Sequence, residues 1–274
     1  MSHGQGPLII FLHGFPEFWY AWRDQLAEFG RDHRAVAVDM RGFNLSSKPS
    51  AVDEYRISTL VADLGALADH FEARKFVLVA HDWGGAVAWM FAVAHPDRVE
   101  KLVIINSPHP ALFARELAQN PAQREASQYM LAFREPTAEA TYSADNFAAL
   151  RDLVRDLFTA SHFTSVDSAA YLAAWSQPGA LTGGFNYYRA SRVVPPSVTS
   201  LQTVPPSMPP AQMRVMVPTL VIWGERDRYL VPQNLVGLEQ LVPDLRIKRI
   251  PDATHWVVHE RPAEVNALIR EFIR

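Results

Sequence analysis

Short apolar runs rich in β-branched residues alternate with amphipathic segments along most of the chain. Residues 8–12, 35–38, 76–79, 102–105, 220–223 and 247–250 read as strands. Several are apolar throughout, as expected where helices cover both faces of a sheet. Between them Leu60, Leu64, Leu67 and Phe71 recur at helical spacing, as do Val265, Leu268, Ile269 and Phe272. This alternation predicts an α/β fold with a mostly parallel, doubly wound sheet.

The alternation stops after Asn106-Ser107-Pro108-His109-Pro110 and resumes at Val217-Pro218-Thr219-Leu220. The sequence between is helical and aromatic, with no convincing strand. It ends in a proline-rich stretch holding Pro195-Pro196, Pro205-Pro206 and Pro209-Pro210. The pattern predicts a core domain from residues 1–110 and 213–274, with a helical cap at 111–212. The prolines form its stiff return linker. No internal repeat is visible.

The segment Val79-Ala80-His81-Asp82-Trp83-Gly84-Gly85 closes one apolar run and opens an Ala-rich helical one. A sharp strand-to-helix turn exposes the residue at its apex, and small neighbours such as Ala80 and Gly84 let the backbone close around it. Hydrolases with this turn commonly carry serine at the apex; here it is Asp82. A carboxylate gains little by attacking a carbonyl, since the product is an anhydride. Attack on a strained or polarised sp³ carbon gives an ester that water can cleave, which points to an epoxide or an alkyl halide. The plain alternative is that Asp82 only caps its helix.

Composition narrows the rest. The formal net charge is −3 and no basic block occurs, so neither nucleic acid nor an anionic membrane is an expected partner. There is no cysteine, which excludes disulfides and thiolate metal sites. The leader Met1-Ser2-His3-Gly4-Gln5-Gly6 lacks a basic n-region, and the apolar run after it is too short to cross a bilayer. A soluble cytoplasmic protein acting on a small molecule is expected, with no metal and no organic cofactor.

An apical nucleophile needs an acid and a histidine later in the chain, in that order. Asp227, in Trp223-Gly224-Glu225-Arg226-Asp227-Arg228, follows one strand, and His255, in Pro251-Asp252-Ala253-Thr254-His255-Trp256, follows the last. Both fall where this architecture places its site. Asp82 is expected ionised, as nucleophile. His255 is expected neutral, as the base that activates water, and Asp227 orients its ring. Glu225 is the fallback acid; Asn106 carries no charge and cannot serve. The backbone N–H groups of Trp83 and of Phe15, in His13-Gly14-Phe15-Pro16-Glu17, are assigned to the oxyanion hole. His13 and His81 are read as loop-orienting residues.

The motifs at His13–Tyr20, Asp39-Met40-Arg41-Gly42-Phe43, Ser46-Ser47-Lys48-Pro49 and His81–Gly85 resemble the epoxide hydrolases of the α/β-hydrolase fold, over nearly the whole chain. The resemblance implies two cap tyrosines that donate to the epoxide oxygen. The segments Gln128–Pro136 and Gly184–Arg189 match those that hold them, so the roles carry onto Tyr129 and Tyr188, rather than Tyr187. The aromatic cap and the tryptophans, Trp19, Trp89 and Trp175 among them, suggest an apolar substrate. Trp83, Phe15 and Trp256 are expected to line its pocket. The resemblance thus implies hydrolysis of an apolar epoxide to a vicinal diol through an ester on Asp82. The alternative is a haloalkane dehalogenase with the same nucleophile and the Trp83 indole holding halide. Those enzymes usually carry a second polar donor where this chain has Phe15. The absence of arginine from Trp83 to Met90 argues against fluoroacetate dehalogenase activity. A non-catalytic ligand-binding homologue would be expected to have lost a polar catalytic residue. The family usually has two further strands before the first one read here. Without them the sheet is smaller or has an open edge, and an open edge can drive homo-oligomerisation.

Overall fold

The computed structural model describes residues 1–160, 163–196 and 209–274. Its centre is a seven-stranded sheet in the order β1-β3-β2-β4-β5-β6-β7. The strands are β1 (Ser2–His3), β2 (Leu8–Leu12), β3 (Arg34–Ala37), β4 (Phe76–His81), β5 (Val99–Ile105), β6 (Thr219–Gly224) and β7 (Leu245–Ile250). All neighbours pair in parallel except β1 with β3.

The inner strands are buried on both faces, and alternate residues feed two separate cores. Ile10, Leu12, Leu78, Ala80, Leu102 and Ile104 face the helices Ile57–His70 and Asp82–Ala94. Ile9, Phe11, Val77, Val79, Val103 and Ile105 face the helices Arg23–Phe29 and Pro262–Ile273. This two-sided burial is why the strands read as continuous apolar runs rather than as alternating ones. The outer strand β7 instead exposes Arg246, Lys248 and Arg249, charges that discourage pairing with another edge.

The amino-terminal edge differs from the sequence reading. Ser2 and His3 pair antiparallel with Val36 and Ala35, so the leader supplies one short strand where none was expected. The Met1 ammonium extends the pairing by donating to the Ala37 carbonyl at 2.7 Å. Two exposed polar residues carry no hydrophobic period, which is why the pattern missed them.

Between β5 and β6 the described residues form helices and no strand, from Pro110–Gln119 through Ala180–Ala190. The segment Ala138–Leu153 is broken at Ala144–Phe147, where Asp145, Asn146 and Phe147 adopt left-handed backbone angles. Of the proline-rich stretch, Pro205-Pro206 lies outside the described residues. The insertion is tied down over the carboxyl ends of the strands. The Trp175 indole donates to the Pro16 carbonyl at 2.6 Å, and the Tyr171 hydroxyl donates to Glu17 at 2.8 Å. Among the described residues no helix is long and apolar enough to cross a membrane.

Candidate active site

At the junction of β4 and the helix Asp82–Ala94 the backbone of Asp82 has φ 49°, a left-handed conformation that non-glycine residues adopt rarely and at a cost. What makes the turn possible is close backbone approach. A Cβ on Gly84 would lie 2.4 Å from the Leu12 carbonyl oxygen, and one on Gly14 would lie 2.3 Å from the Asp82 Cβ. The Ser107 hydroxyl donates to the Asp82 carbonyl at 2.7 Å and braces the turn from the loop after β5.

The Asp82 carboxylate does not cap its own helix. Its Oδ1 accepts from the Phe15 N–H at 2.8 Å, and its Oδ2 lies 3.6 Å from His255 Nε2. The Trp83 N–H belongs to the first helical turn, where amides lack an intrahelical acceptor. His255 Nδ1 donates to Asp227 Oδ2 at 2.6 Å. The Asp227 side chain is fully buried, and its lone pairs are taken up. Oδ1 accepts from the N–H groups of Tyr229 and Leu230, and Oδ2 accepts also from Asn106 Nδ2 at 2.8 Å. Glu225 points elsewhere, to Arg249 on the surface.

The charge state of His255 is set by burial and by its two carboxylate neighbours. Burial alone would lower its pKa, but the Asp227 charge and hydrogen bond, then the Asp82 charge, outweigh burial and raise it to about 9. The resting imidazole is therefore protonated at neutral pH, between two carboxylates.

Two buried residues were not assigned to this site from the sequence. Asn106, at φ 36°, holds Asp227 and both backbone polar groups of Gly224, accepting from its N–H at 2.8 Å and donating to its carbonyl at 3.1 Å. Its lack of charge, which excluded it as the acid, suits it as a donor to the acid. Glu17 lies 3.1 Å from His81 Nδ1 and 2.6 Å from His259 Nε2. Burial opposes its ionisation, yet the charge and hydrogen bond of His259, then those of His81, hold its pKa well below the usual carboxylate range. His81 Nε2 in turn reaches the His255 carbonyl at 2.9 Å, so this network braces the loop of His255. His13 accepts from the Met40 N–H and donates to the Gly14 carbonyl, the loop-orienting role expected of it.

The helical insertion brings Tyr129 and Tyr188 over Asp82, with ring centroids 6.0 Å apart. Arg134 donates to the Tyr188 carbonyl and so links the two segments. Burial, together with the nearby Asp82 charge, raises the pKa of both phenols well above 10, so both remain donors. Tyr187 is committed elsewhere, donating to the Arg41 carbonyl at 2.8 Å.

Two cavities meet at this point. One of about 630 Å³ is lined by Asp82, Trp83, Met90, Phe113, Tyr129 and Tyr188, among others, and reaches the exposed residues Val52 and Ile57. The other, about 20 Å³, is lined by Asp82, Tyr129, Tyr188, Tyr229 and His255, among others. Of the expected pocket residues, Trp83 lines the large cavity. Phe15 and Trp256 line the small one instead, because their rings pack beside His255 and Tyr188. Among the described residues no cluster of His, Asp and Glu could hold a metal ion.

Comparison with known proteins agrees with this architecture. The alpha/beta hydrolase fold family matches residues 7–262. A protein of Bacillus subtilis named AB hydrolase superfamily protein YfhM is 39% identical over 98% of this chain and 91% of its own length. Epoxide hydrolase 4 of Mus musculus is 35% identical over 98% of this chain and 73% of its own. The crystal structure of a Bacillus megaterium epoxide hydrolase with an inhibitor superposes with a TM-score of 0.92. It is 38% identical, and the match covers 100% of this chain and 95% of that one. By sequence and by structure, the chain belongs to the α/β-hydrolase fold family and groups there with the epoxide hydrolases.

Proposed function

We propose that the protein hydrolyses an apolar epoxide to a vicinal diol through a covalent ester on Asp82. One observation carries the reading: a carboxylate with one oxygen that has no backbone donor and two neutral phenols face each other across one cavity, with a His–Asp pair behind the carboxylate. The names of the relatives support it. The helices between β5 and β6 act as the cap that supplies the phenols.

The geometry suggests an order of events. Oδ2 is the Asp82 oxygen without a backbone donor, so it attacks the ring carbon while Tyr129 and Tyr188 donate to the leaving oxygen. One C–O bond forms and one breaks. The alkoxide takes a phenolic proton, and the phenol regains one from the His255 imidazolium. Esterification also removes the Asp82 charge that had helped to hold that proton. His255 is then neutral and can accept a proton from water as the water attacks the ester carbonyl. The carbonyl oxygen is the former Oδ1, already aligned with the Phe15 N–H, and the Trp83 N–H is the second donor. Collapse releases the diol, the carboxylate and the imidazolium. The small cavity fits the water step, since about 10–15 Å³ of such space holds one water molecule and this one borders His255.

The test is diol formation from aryl and alkyl oxiranes, with halide release from matched haloalkanes run alongside, in the native protein and in Asp82→Asn. Diol without halide, lost in the variant, is the expected result. Halide without diol would keep Asp82 as nucleophile but move the leaving group to Trp83. Neither product from a folded protein would sink the proposal.

A further inference from the structure

We infer that the site is built for oxiranes substituted on one ring carbon, and disfavours those substituted on both. The inference rests on the epoxide reading above and narrows its substrate class. Asp82, Tyr129 and Tyr188 line both cavities, so they form the waist between them. A reacting oxirane must put one carbon at Asp82 and its oxygen at the phenols. Its ring therefore occupies the waist, and groups on the two carbons diverge to opposite sides. On one side lie about 630 Å³ and a route to solvent; on the other lie about 20 Å³.

The small side has room for about one water. It is also where that water is required, because His255 opens onto it. A methyl group there takes the place of the water that must cleave the ester. The walls of the small side resist giving way. Val154 is buried, and the Tyr229 hydroxyl donates to the Leu153 carbonyl at 2.5 Å, holding two walls together. On the far wall Phe15 packs against Phe133, Phe185 and Tyr188 at centroid distances of 5.0–5.8 Å. The large side is lined by Met90, Phe113, Met130 and Leu230, so the single substituent is an apolar arm.

The experiment compares kcat/KM for hexyloxirane with that for its trans homologue bearing a methyl on the second ring carbon. In the native enzyme the methyl should cost about 10- to 200-fold, the range one methylene commands in a hydrophobic pocket. The double variant Leu153→Ala, Val154→Ala enlarges the small cavity without touching the groups that react, and should bring the ratio toward one. The single variant Val154→Ala should move it part of the way if the double variant is unstable. Kinetic constants within threefold of each other in the native enzyme would overturn the inference. So would an unchanged ratio in a folded, enlarged variant. Turnover of neither oxirane would instead remove the epoxide reading beneath it, and the inference with it.

Discussion

Asp227→Asn is the sharpest test of the electrostatics of the site. Asp227 accepts four hydrogen bonds, two on Oδ1 from backbone amides and two on Oδ2 from Asn106 and His255. An asparagine can keep its oxygen toward the backbone donors only by turning its NH₂ toward Asn106 Nδ2 and His255 Nδ1. Donor then faces donor, and the imidazole escapes by making Nδ1 the acceptor. The surviving proton moves to Nε2, the nitrogen that should take a proton from water, and the base is lost. The charge is lost as well. A rise in the His255 pKa from 6.5 to about 9, at about 1.4 kcal/mol per pH unit, amounts to about 3 kcal/mol of native-state stabilisation. Because the folded value is the higher one, this stabilisation is fully present below about pH 6.5 and is lost as pH rises through 9. Urea unfolding of both proteins at pH 6 and pH 10 isolates it. The native protein should lose about 3 kcal/mol more than the variant between the two, with His255 in the variant titrating below 6.5 by NMR. Parallel pH profiles of stability, or a His255 that still titrates near 9, would refute the reasoning.

Three further outcomes follow from the same geometry. His255→Gln should form the ester but fail to release it. Mass spectrometry of the intact protein should then show one added substrate on Asp82, with turnover down by about 10²–10⁴; full turnover would remove His255 from the mechanism. Tyr129→Phe with Tyr188→Phe should suppress ester formation itself, each donor contributing roughly 10²–10³ in rate. Circular dichroism should remain native, and rapid single-turnover alkylation would remove the phenols from the mechanism. Gly84→Ala must push its methyl against the Leu12 and His13 carbonyls at the elbow, a backbone clash that no rotamer relieves. It should cost about 1–3 kcal/mol in chemical denaturation, with lost activity; an unchanged denaturation midpoint would contradict the close approach.

Much of the fold was legible in the chain because its signals are local. Strands buried on both faces must be apolar throughout, so β2, β4 and β5 announce themselves within a few residues. The elbow is equally local: a β-branched run that passes directly into Asp82-Trp83-Gly84-Gly85 and a helical run marks a sharp strand-to-helix turn. Asp227 and His255 were readable because loops after parallel strands share one end of the sheet. The edge strand Ser2–His3 was not legible, since two exposed polar residues have no period, and its pairing depends wholly on the edge that β3 offers. Nor could the chain reveal the proton on His255. That depends on Asp227 at 2.6 Å and Asp82 at 3.6 Å, distances set by loops that meet only after the sheet has formed. The same holds for Asn106 and Glu17, whose partners lie far along the sequence. It holds most of all for the unequal cavities on either side of Asp82. Sequence pattern records which side chains need burial, whereas volumes, charge separations and hydrogen-bond partners come from elements packed in three dimensions.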